Sequence, residues 1–310
     1  METIAPGIHQ LDTLLGGWDR LTAGFLVEGE HPALVETGAR TSVATVRTAL
    51  SEVGLGPDDL RWLVLTHIHL DHAGGVGDLA VAFPAATVVV HERGARHLVD
   101  PSRLVASAAQ VYGERLHTLY GTLAPVPEER ILAAADGLQI DVGAGRLLTM
   151  VDSPGHARHH HAVLDEHTGT LLVGDAVGVR LPDVGILQPA VPPPDFDLEA
   201  ATASLRRFKA LRPQQVVLTH YGPVPDPLAT LDEAEGLLHR WVAVAEAVVR
   251  ERGADASVEE IAAALNAEVG IPEDRVPEEI RARAEILNGV HSNAAGIQRY
   301  LRKRSEAAAG

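Results

Sequence analysis

The sequence predicts an α/β fold over residues 1–229, followed by a helical extension over residues 230–310. Short apolar segments alternate with segments of helical periodicity in the first part, whereas the second part shows helical patterns alone. Four of the apolar segments lead to histidine or aspartate, and α/β sheets place ligands at the carboxyl ends of their strands. A chain of 310 residues is long enough for one large domain with an appendage.

The predicted strands are short runs of apolar residues, a pattern typical of strands that are buried in a sheet. In chain order they cover Leu21–Glu28, Ala33–Glu36, Trp62–Thr66, Thr87–His91, Arg146–Val151, His161–Asp165, Thr170–Val173 and Gln215–Thr219. Of the predicted helices, the first ends at Gly54, the second shows apolar residues three and four positions apart, and the third begins after a capping residue. They cover Val43–Val53, Ser102–Tyr120 and Leu198–Leu211, with Asp197 as the N-cap of the last.

The helical extension is predicted from two capping boxes, Thr230–Glu233 and Ser257–Glu260, each of which starts a helix. Further helical segments are predicted after Pro277 and after Ser292. The segment Ala176–Asp197 contains five prolines, so we predict an irregular loop at the rim of the site.

The composition limits the kinds of partner and site. The net charge is −16, so nucleic acid is not an expected partner, because polyanion-binding proteins carry basic patches. The chain has no cysteine, so nitrogen and oxygen atoms must hold any metal. The sequence shows neither a signal-peptide pattern nor an apolar stretch long enough to span a bilayer. We expect a cytoplasmic protein that acts on a small-molecule substrate without membrane association, and a homodimer is left open.

One segment brings several metal-binding side chains close together, directly after the strand predicted at Trp62–Thr66. These side chains belong to His67, His69, Asp71 and His72. In an extended chain the first three would point to the same side. The fourth reaches the same space if the chain turns after Asp71, and the glycines at positions 74 and 75 make a sharp turn sterically easy.

Three other predicted strands lead to a potential ligand in the same way. These ligands are His156 after Arg146–Val151, Asp175 after Thr170–Val173 and His220 after Gln215–Thr219. The tetrapeptide Val-Leu-Thr-His occurs twice, ending at His67 and at His220. Because α/β sheets bind ligands at the carboxyl ends of their strands, these residues predict one convergent site.

The chemistry of this set favours metal ions. Five histidines and two aspartates are too many for one tetrahedral ion and suit two ions that share a carboxylate. Imidazole and carboxylate favour zinc, with iron and manganese as alternatives. Burying these polar groups together without a metal would be unfavourable by several kcal/mol. We therefore predict a site for two divalent metal ions.

The segment from His67 to His72, with the sequence His-Ile-His-Leu-Asp-His, resembles the signature of the metallo-β-lactamase superfamily. The later motifs Ser-Pro-Gly-His156, Gly174-Asp175 and Thr219-His220 resemble those of the family in the same order. The resemblance covers roughly residues 1–225 and is greatest to the hydroxyacylglutathione hydrolase and lactonase branches. It implies an αββα sandwich of two mixed β-sheets flanked by helices.

The resemblance also implies a role for each ligand. His67, His69 and His156 would bind the first metal; Asp71, His72 and His220 would bind the second; and Asp175 would bridge them together with a nucleophilic hydroxide. Asp71 would help to hold the nucleophile. Tyr221, which follows the ligand His220, either donates a hydrogen bond to the substrate or packs in the interior. Glu36 stands where the family often has aspartate, and it either orients a ligand histidine or lies at the surface.

The expected activity is hydrolysis of an ester, thioester or lactone bond. Basic glutathione-binding residues are not found in the C-terminal part, which argues against a glutathione thioester. Three alternatives stay open: a phosphodiesterase or nuclease of the same fold, an oxygen-reducing di-iron enzyme, and a non-catalytic regulator that binds a small molecule. The acidic charge argues against the first, and His69 argues against the second, whose family members usually carry glutamate at that position.

Overall fold

The computed structural model describes residues 1–272 and 276–309 and divides the chain into two compact units. The sheet unit comprises Met1–Asp152, His159–Gly174 and Pro213–Val224, and the helical unit comprises Ser153–Arg158, Asp175–Arg212 and Pro225–Gly310. Residues 273–275 and Gly310 of the predicted extension lie outside the described residues. Among residues 1–272 and 276–309, no helix combines the length and the apolar character that crossing a membrane requires.

The chain contains both strands and helices along much of its length. The strands are β1 (Glu2–Ala5), β2 (Ile8–Asp12), β3 (Ala23–Val27), β4 (Ala33–Val35), β5 (Trp62–Val64), β6 (Thr87–His91), β7 (Ile131–Ala134), β8 (Gln139–Asp141), β9 (Leu147–Asp152), β10 (His161–Asp165), β11 (Thr170–Leu172), β12 (Val179–Leu181), β13 (Ile186–Gln188), β14 (Gln215–Leu218) and β15 (Gly222–Pro223). The helices are α1 (Val43–Glu52), α2 (Leu70–Ala73), α3 (Val76–Ala82), α4 (Glu92–Val99), α5 (Ser102–Tyr112), α6 (Leu198–Leu211), α7 (Pro227–Arg252), α8 (Val258–Val269), α9 (Glu278–Asn288) and α10 (Val290–Ala309).

Within the described residues, the sheet unit contains two mixed β-sheets. The first sheet has the strand order β1-β2-β3-β4-β5-β6-β7, and the second has the order β15-β14-β11-β10-β9-β8. Strands β4 to β7 run parallel to one another in the first sheet, and β11 runs parallel to β14 in the second. Helices flank the sheets, and the predicted αββα sandwich of two mixed sheets is confirmed.

The hydrophobic core of the sheet unit draws side chains from both sheets. Its buried members include Phe25, Val35 and Val89 from the first sheet, and Met150, Val163 and Val217 from the second. Full burial of an aliphatic or aromatic side chain stabilises the fold by roughly 1.5–3 kcal/mol. The burial of apolar side chains therefore holds the strands in place, so that the residues at their carboxyl ends have defined positions.

Register brings particular strand ends to the same edge. Val35 at the end of β4 pairs with Val64 at the end of β5, and the backbone N–H of Glu36 donates to the Val64 carbonyl at 2.8 Å. Leu172 at the end of β11 pairs with Val217 of β14. Residues that follow these strands therefore leave each sheet at neighbouring positions.

The prediction of one continuous helix over Ser102–Tyr120 is wrong. Helix α5 ends at Tyr112, because Gly113 adopts φ 54° and breaks the helical path, and a separate π-helical turn covers Leu116–Tyr120. None of the described side chains of α5 is buried.

Two predictions in the later part of the chain also need correction. The segment Ala176–Asp197 is not irregular throughout, because β12 and β13 pair as an antiparallel hairpin. Helix α7 begins at Pro227 rather than at Thr230, and the Asp226 side chain caps it by accepting from the Ala229 N–H at 3.0 Å. The predicted cap Asp197 and the predicted capping box at Ser257 are both confirmed.

Replacing Phe25 with alanine tests the inter-sheet core. Phe25 is fully buried, so Phe25→Ala should lower the free energy of unfolding by about 3–5 kcal/mol, the usual effect of removing a buried aromatic ring. Urea denaturation followed by circular dichroism measures this change. Val81 is 82% exposed, so Val81→Ala is the matched control and should change stability by no more than about 0.5 kcal/mol. Equal effects of the two substitutions would contradict the assigned core.

Candidate metal centre

Beyond β5 the chain first stays extended and then turns into the short helix α2. His69 has φ −63° and ψ 153° and is the N-cap residue of this helix. His67 and His69 therefore lie on the extended part, whereas Asp71 and His72 lie on the helical turn. The expectation that strand alternation also directs Asp71 is wrong, because the turn begins at Leu70 and not after Asp71.

Asp71, His72 and His220 meet at one point of the sheet unit. The Nε2 atoms of His72 and His220 lie 3.2 Å apart. Asp71 Oδ2 lies 3.7 Å from His72 Nε2 and 3.5 Å from His220 Nε2. Ligand atoms held about 2.0–2.1 Å from a tetrahedral zinc ion stand roughly 3.3 Å from one another. The three atoms therefore have the spacing of ligands to one ion.

The two imidazoles of this cluster each direct a nitrogen without a proton toward that point. His72 Nδ1 lies 3.2 Å from Glu36 Oε1, and His220 Nδ1 lies 2.6 Å from the Leu21 carbonyl oxygen. Because a carboxylate and a carbonyl can only accept, each Nδ1 carries the proton and each Nε2 presents a lone pair. Two lone pairs and a carboxylate repel one another in a buried place unless a cation lies among them. This donor set fits a divalent metal ion.

His67 and His69 form a second group of nitrogen atoms in the sheet unit. His67 Nε2 lies 2.9 Å from His69 Nδ1. On the other side of its ring, His67 Nδ1 lies 3.0 Å from Thr66 Oγ1. That hydroxyl donates its own hydrogen to Glu36 Oε1 at 2.5 Å, so it accepts from His67 and leaves His67 Nε2 as the lone-pair nitrogen.

Glu36 connects the histidines of both groups. Its side chain is fully buried, and Oε1 accepts from Thr66 Oγ1 at 2.5 Å and from Thr219 Oγ1 at 3.3 Å, besides facing His72 Nδ1. Its backbone has φ 67°, an unfavourable conformation for a residue with a side chain. Of the two alternatives for Glu36, the surface position is wrong, because the side chain is buried beside His72, and its role in orienting a ligand stays a prediction.

Sequence reasoning did not identify Thr66 and Thr219 as functional residues. Each immediately precedes a candidate ligand histidine, and each donates its hydroxyl hydrogen to Glu36. The repeated tetrapeptide Val-Leu-Thr-His carried this signal. Both copies end a strand region in which the threonine fixes a central carboxylate and the histidine faces the site.

His156 and Asp175 lie together in the helical unit. His156 Nε2 is 3.5 Å from Asp175 Oδ2, and His156 Nδ1 is 2.8 Å from the Ala190 carbonyl oxygen. Gly155 precedes the histidine with φ 139°, and a Cβ atom there would lie 2.3 Å from the Ala201 Cα atom. Glycine is therefore needed at this position of the loop that presents His156.

Tyr221 is held inside the sheet unit. Its hydroxyl lies 3.4 Å from Asp12 Oδ2, and its ring packs against the inter-sheet core. Burial and the nearby Asp12 charge raise the pKa of Tyr221 to about 12, so the hydroxyl stays protonated at neutral pH. These contacts support the alternative that Tyr221 packs in the interior. Its hydrogen bond to the substrate stays a prediction.

Comparison with known proteins gives a family match and a match of fold. Residues 16–220 match the family model described as the metallo-beta-lactamase superfamily. The chain is 30% identical over 222 residues to the metallo-beta-lactamase fold-containing protein ST1585 of Sulfurisphaera tokodaii, a match that covers 70% of this chain and 79% of that protein. The crystal structure of ST1585 (from Sulfolobus tokodaii) matches with a TM-score of 0.70 at 24% identity, over 94% of this chain and 98% of that chain, which supports the fold.

Other relatives have names that refer to hydrolysis. The probable metallo-hydrolase YqjP of Bacillus subtilis is 24% identical over 230 residues, covering 67% of this chain and 70% of that protein. An N-acyl homoserine lactonase of Bacillus cereus is 26% identical over 175 residues, covering 56% of this chain and 60% of that protein.

The orienting role of Glu36 can be tested with Glu36→Gln. Glutamine keeps the size of the side chain but removes the charge that faces His72 Nδ1, so metal affinity should fall by about tenfold to a hundredfold. Competition with a chromophoric chelator measures the affinity. Glu52→Gln makes the same chemical change at an exposed position at the end of α1 and should leave affinity unchanged. Wild-type affinity in Glu36→Gln would show that the carboxylate does not control the ligand.

Proposed function

The chain belongs to the metallo-β-lactamase superfamily of metallo-hydrolases, and we propose that it is a dinuclear enzyme that cleaves an ester, thioester or lactone bond. The observation that carries the proposal is that His72 Nε2, His220 Nε2 and Asp71 Oδ2 lie within 3.7 Å of one another. Two of these atoms are lone-pair nitrogens and the third is a carboxylate oxygen, and such a set is favourable when it surrounds a divalent cation.

We assign the seven candidate ligands to two ions. His67, His69 and His156 would hold the first ion, Asp71, His72 and His220 would hold the second, and Asp175 would serve both. Zinc is the first choice for these nitrogen and oxygen ligands, with iron and manganese as alternatives. The spacing within each described group supports this assignment: His67 Nε2 and His69 Nδ1 lie 2.9 Å apart, and His156 Nε2 and Asp175 Oδ2 lie 3.5 Å apart.

Chain connections support the inclusion of His156 and Asp175. The loop that carries His156 joins β9 to β10, two paired strands of the second sheet. Asp175 follows Gly174, and a Cβ atom at Gly174 would lie 2.6 Å from the hydroxyl oxygen of Thr66, the residue that precedes His67. Leu172 of β11 pairs with Val217 of the parallel strand β14. Asp175 follows Leu172 by three residues, and His220 follows Val217 by three residues. Short stretches of chain therefore join both residues to strands of the second sheet.

Bound divalent ions would lower the pKa of a water molecule toward neutrality and polarise the carbonyl group that is attacked. The residues of the chain arrange this chemistry. Asp71, whose side chain is 15% exposed, is positioned to accept a hydrogen from the attacking water and so to orient it. Glu36, Thr66 and the Leu21 carbonyl hold the imidazole rings from behind, so the ligand nitrogens need little reorganisation.

A carboxylic ester or lactone fits the chain better than a phosphodiester. The net charge of −16 disfavours a polyanionic substrate, because long-range electrostatics would repel it. The similarity to the Bacillus cereus N-acyl homoserine lactonase adds support for a cyclic ester. A panel of lactones, esters, thioesters and phosphodiesters tests this choice on the metal-loaded protein. Turnover of phosphodiesters alone would overturn it.

The two-metal assignment predicts about two divalent ions per chain in carefully purified protein, which elemental analysis measures. Asp175→Ala should lower both the metal content and the turnover, because the shared carboxylate is lost. Asp58→Ala makes the same change at an exposed position and should alter neither. Unchanged turnover in Asp175→Ala would end the assignment of Asp175 as a shared ligand.

A further inference from the structure

The orientation of His156 depends on one backbone carbonyl. The carbonyl oxygen of Ala190 can only accept, so it fixes the proton of His156 on Nδ1 at 2.8 Å. His156 Nε2 is then the lone-pair nitrogen, and it faces Asp175 Oδ2 at 3.5 Å. His156 and Ala190 are both buried, so water does not readily replace this contact. The direction of the ligand lone pair therefore follows the position of the Ala190 peptide.

Two asparagine side chains hold the residues on either side of Ala190. Asn293 Oδ1 in α10 accepts from the Val191 backbone N–H at 2.7 Å. Asn288 Nδ2, at the end of α9, donates to the Pro189 carbonyl oxygen at 3.0 Å. We call Pro189–Val191 the anchor segment. It follows β13 and is not itself part of a strand, so these side chains take the place of a β-ladder on both flanks of Ala190.

Asn293 is itself locked in position. It is 1% exposed, and its Nδ2 donates to Asn288 Oδ1 at 2.9 Å and lies 3.3 Å from the Asn288 carbonyl oxygen. One turn further along α10, a Cβ atom on Gly296 would lie 1.9 Å from the Val191 carbonyl oxygen. The backbone of α10 therefore lies directly against the anchor segment, and this close approach requires glycine at position 296.

From these contacts we infer that Asn293 is a positioning residue for the metal ligand His156, which acts through the anchor segment. The inference rests on the proposed function, because it takes His156 as a metal ligand. A buried amide is unfavourable unless its hydrogen bonds are made, and those of Asn293 run to Val191 and Asn288. The chain of contacts is Asn293, Val191, Ala190 and His156, and it ends at the ligand nitrogen. The C-terminal helices α9 and α10 thus set the orientation of His156 without supplying a ligand.

Zinc affinities of the full-length protein test this inference by chelator competition, with the visible spectrum of the cobalt-substituted protein as a second readout. Asn293→Ala should weaken one of the two sites by about tenfold, the usual effect of losing a group that orients a ligand, and leave the other site unchanged. Asn288→Ala acts on the opposite flank of Ala190 and should have the same selectivity. Lys303→Ala is the control: Lys303 Nζ also donates from α10, but to the Pro194 carbonyl oxygen at 2.9 Å, beyond the anchor segment. It should leave both affinities unchanged.

A double-mutant cycle separates positioning from general stability. In a His156→Ala background, Asn293→Ala should cause no further loss of zinc affinity. If it weakens both sites alike, or weakens zinc binding equally in that background, its role is only structural and the inference is overturned. The inference is also overturned if Asn293→Ala and Asn288→Ala bind both ions with wild-type affinity while His156→Ala loses one ion. If the wild type binds no stoichiometric metal, or if His156→Ala keeps both ions, the proposed function itself fails.

Discussion

Repulsion between hydrogen-bond acceptors is the constraint on which the candidate metal centre depends. His220 donates its imidazole proton to the Leu21 carbonyl oxygen, and His72 Nδ1 faces the Glu36 carboxylate, so the other nitrogens of the two rings face each other and the Asp71 carboxylate. A cation among these atoms turns the repulsion into attraction. Burial strengthens both terms, because the local dielectric is lower than that of water. The residues behind the ligands therefore matter as much as the ligands, since they decide which nitrogen carries the proton.

Glu36 is one of the residues that lie behind the ligands, and the fold determines its position. It stands one residue beyond β4 with φ 67°, a conformation that costs about 1–3 kcal/mol for a non-glycine residue. The parallel pairing of β4 with β5 brings it next to Thr66, and its carboxylate also reaches Thr219 and His72. One buried carboxylate thus fixes groups from three parts of the chain. The two threonine hydrogen bonds to the Glu36 carboxylate offset the backbone strain.

Sequence patterns identified the candidate ligands because each follows an apolar strand, whereas the contacts around them depend on tertiary structure. The φ 67° of Glu36 has no sequence signal, because glutamate rarely adopts it. The hairpin within Ala176–Asp197 was hidden by prolines, yet Pro182 and Pro189 lie just outside its strands, where a missing N–H does no harm. The break at Gly113 was missed because the apolar spacing continues on both sides of it. Local patterns record burial and miss single residues that redirect the backbone.

In the helical unit, too, residues behind a candidate ligand fix its orientation. Some of them lie beyond the segment that matches the family model, which ends at residue 220. Asn293 lies in the first turn of α10 and is buried, and burying its amide is unfavourable unless its hydrogen bonds offset the loss. Those bonds fix the backbone next to Ala190, and the Ala190 carbonyl fixes His156. In the proposed arrangement, two chains with identical ligands can therefore differ in metal affinity, because that affinity also depends on the residues that hold the peptide behind a ligand.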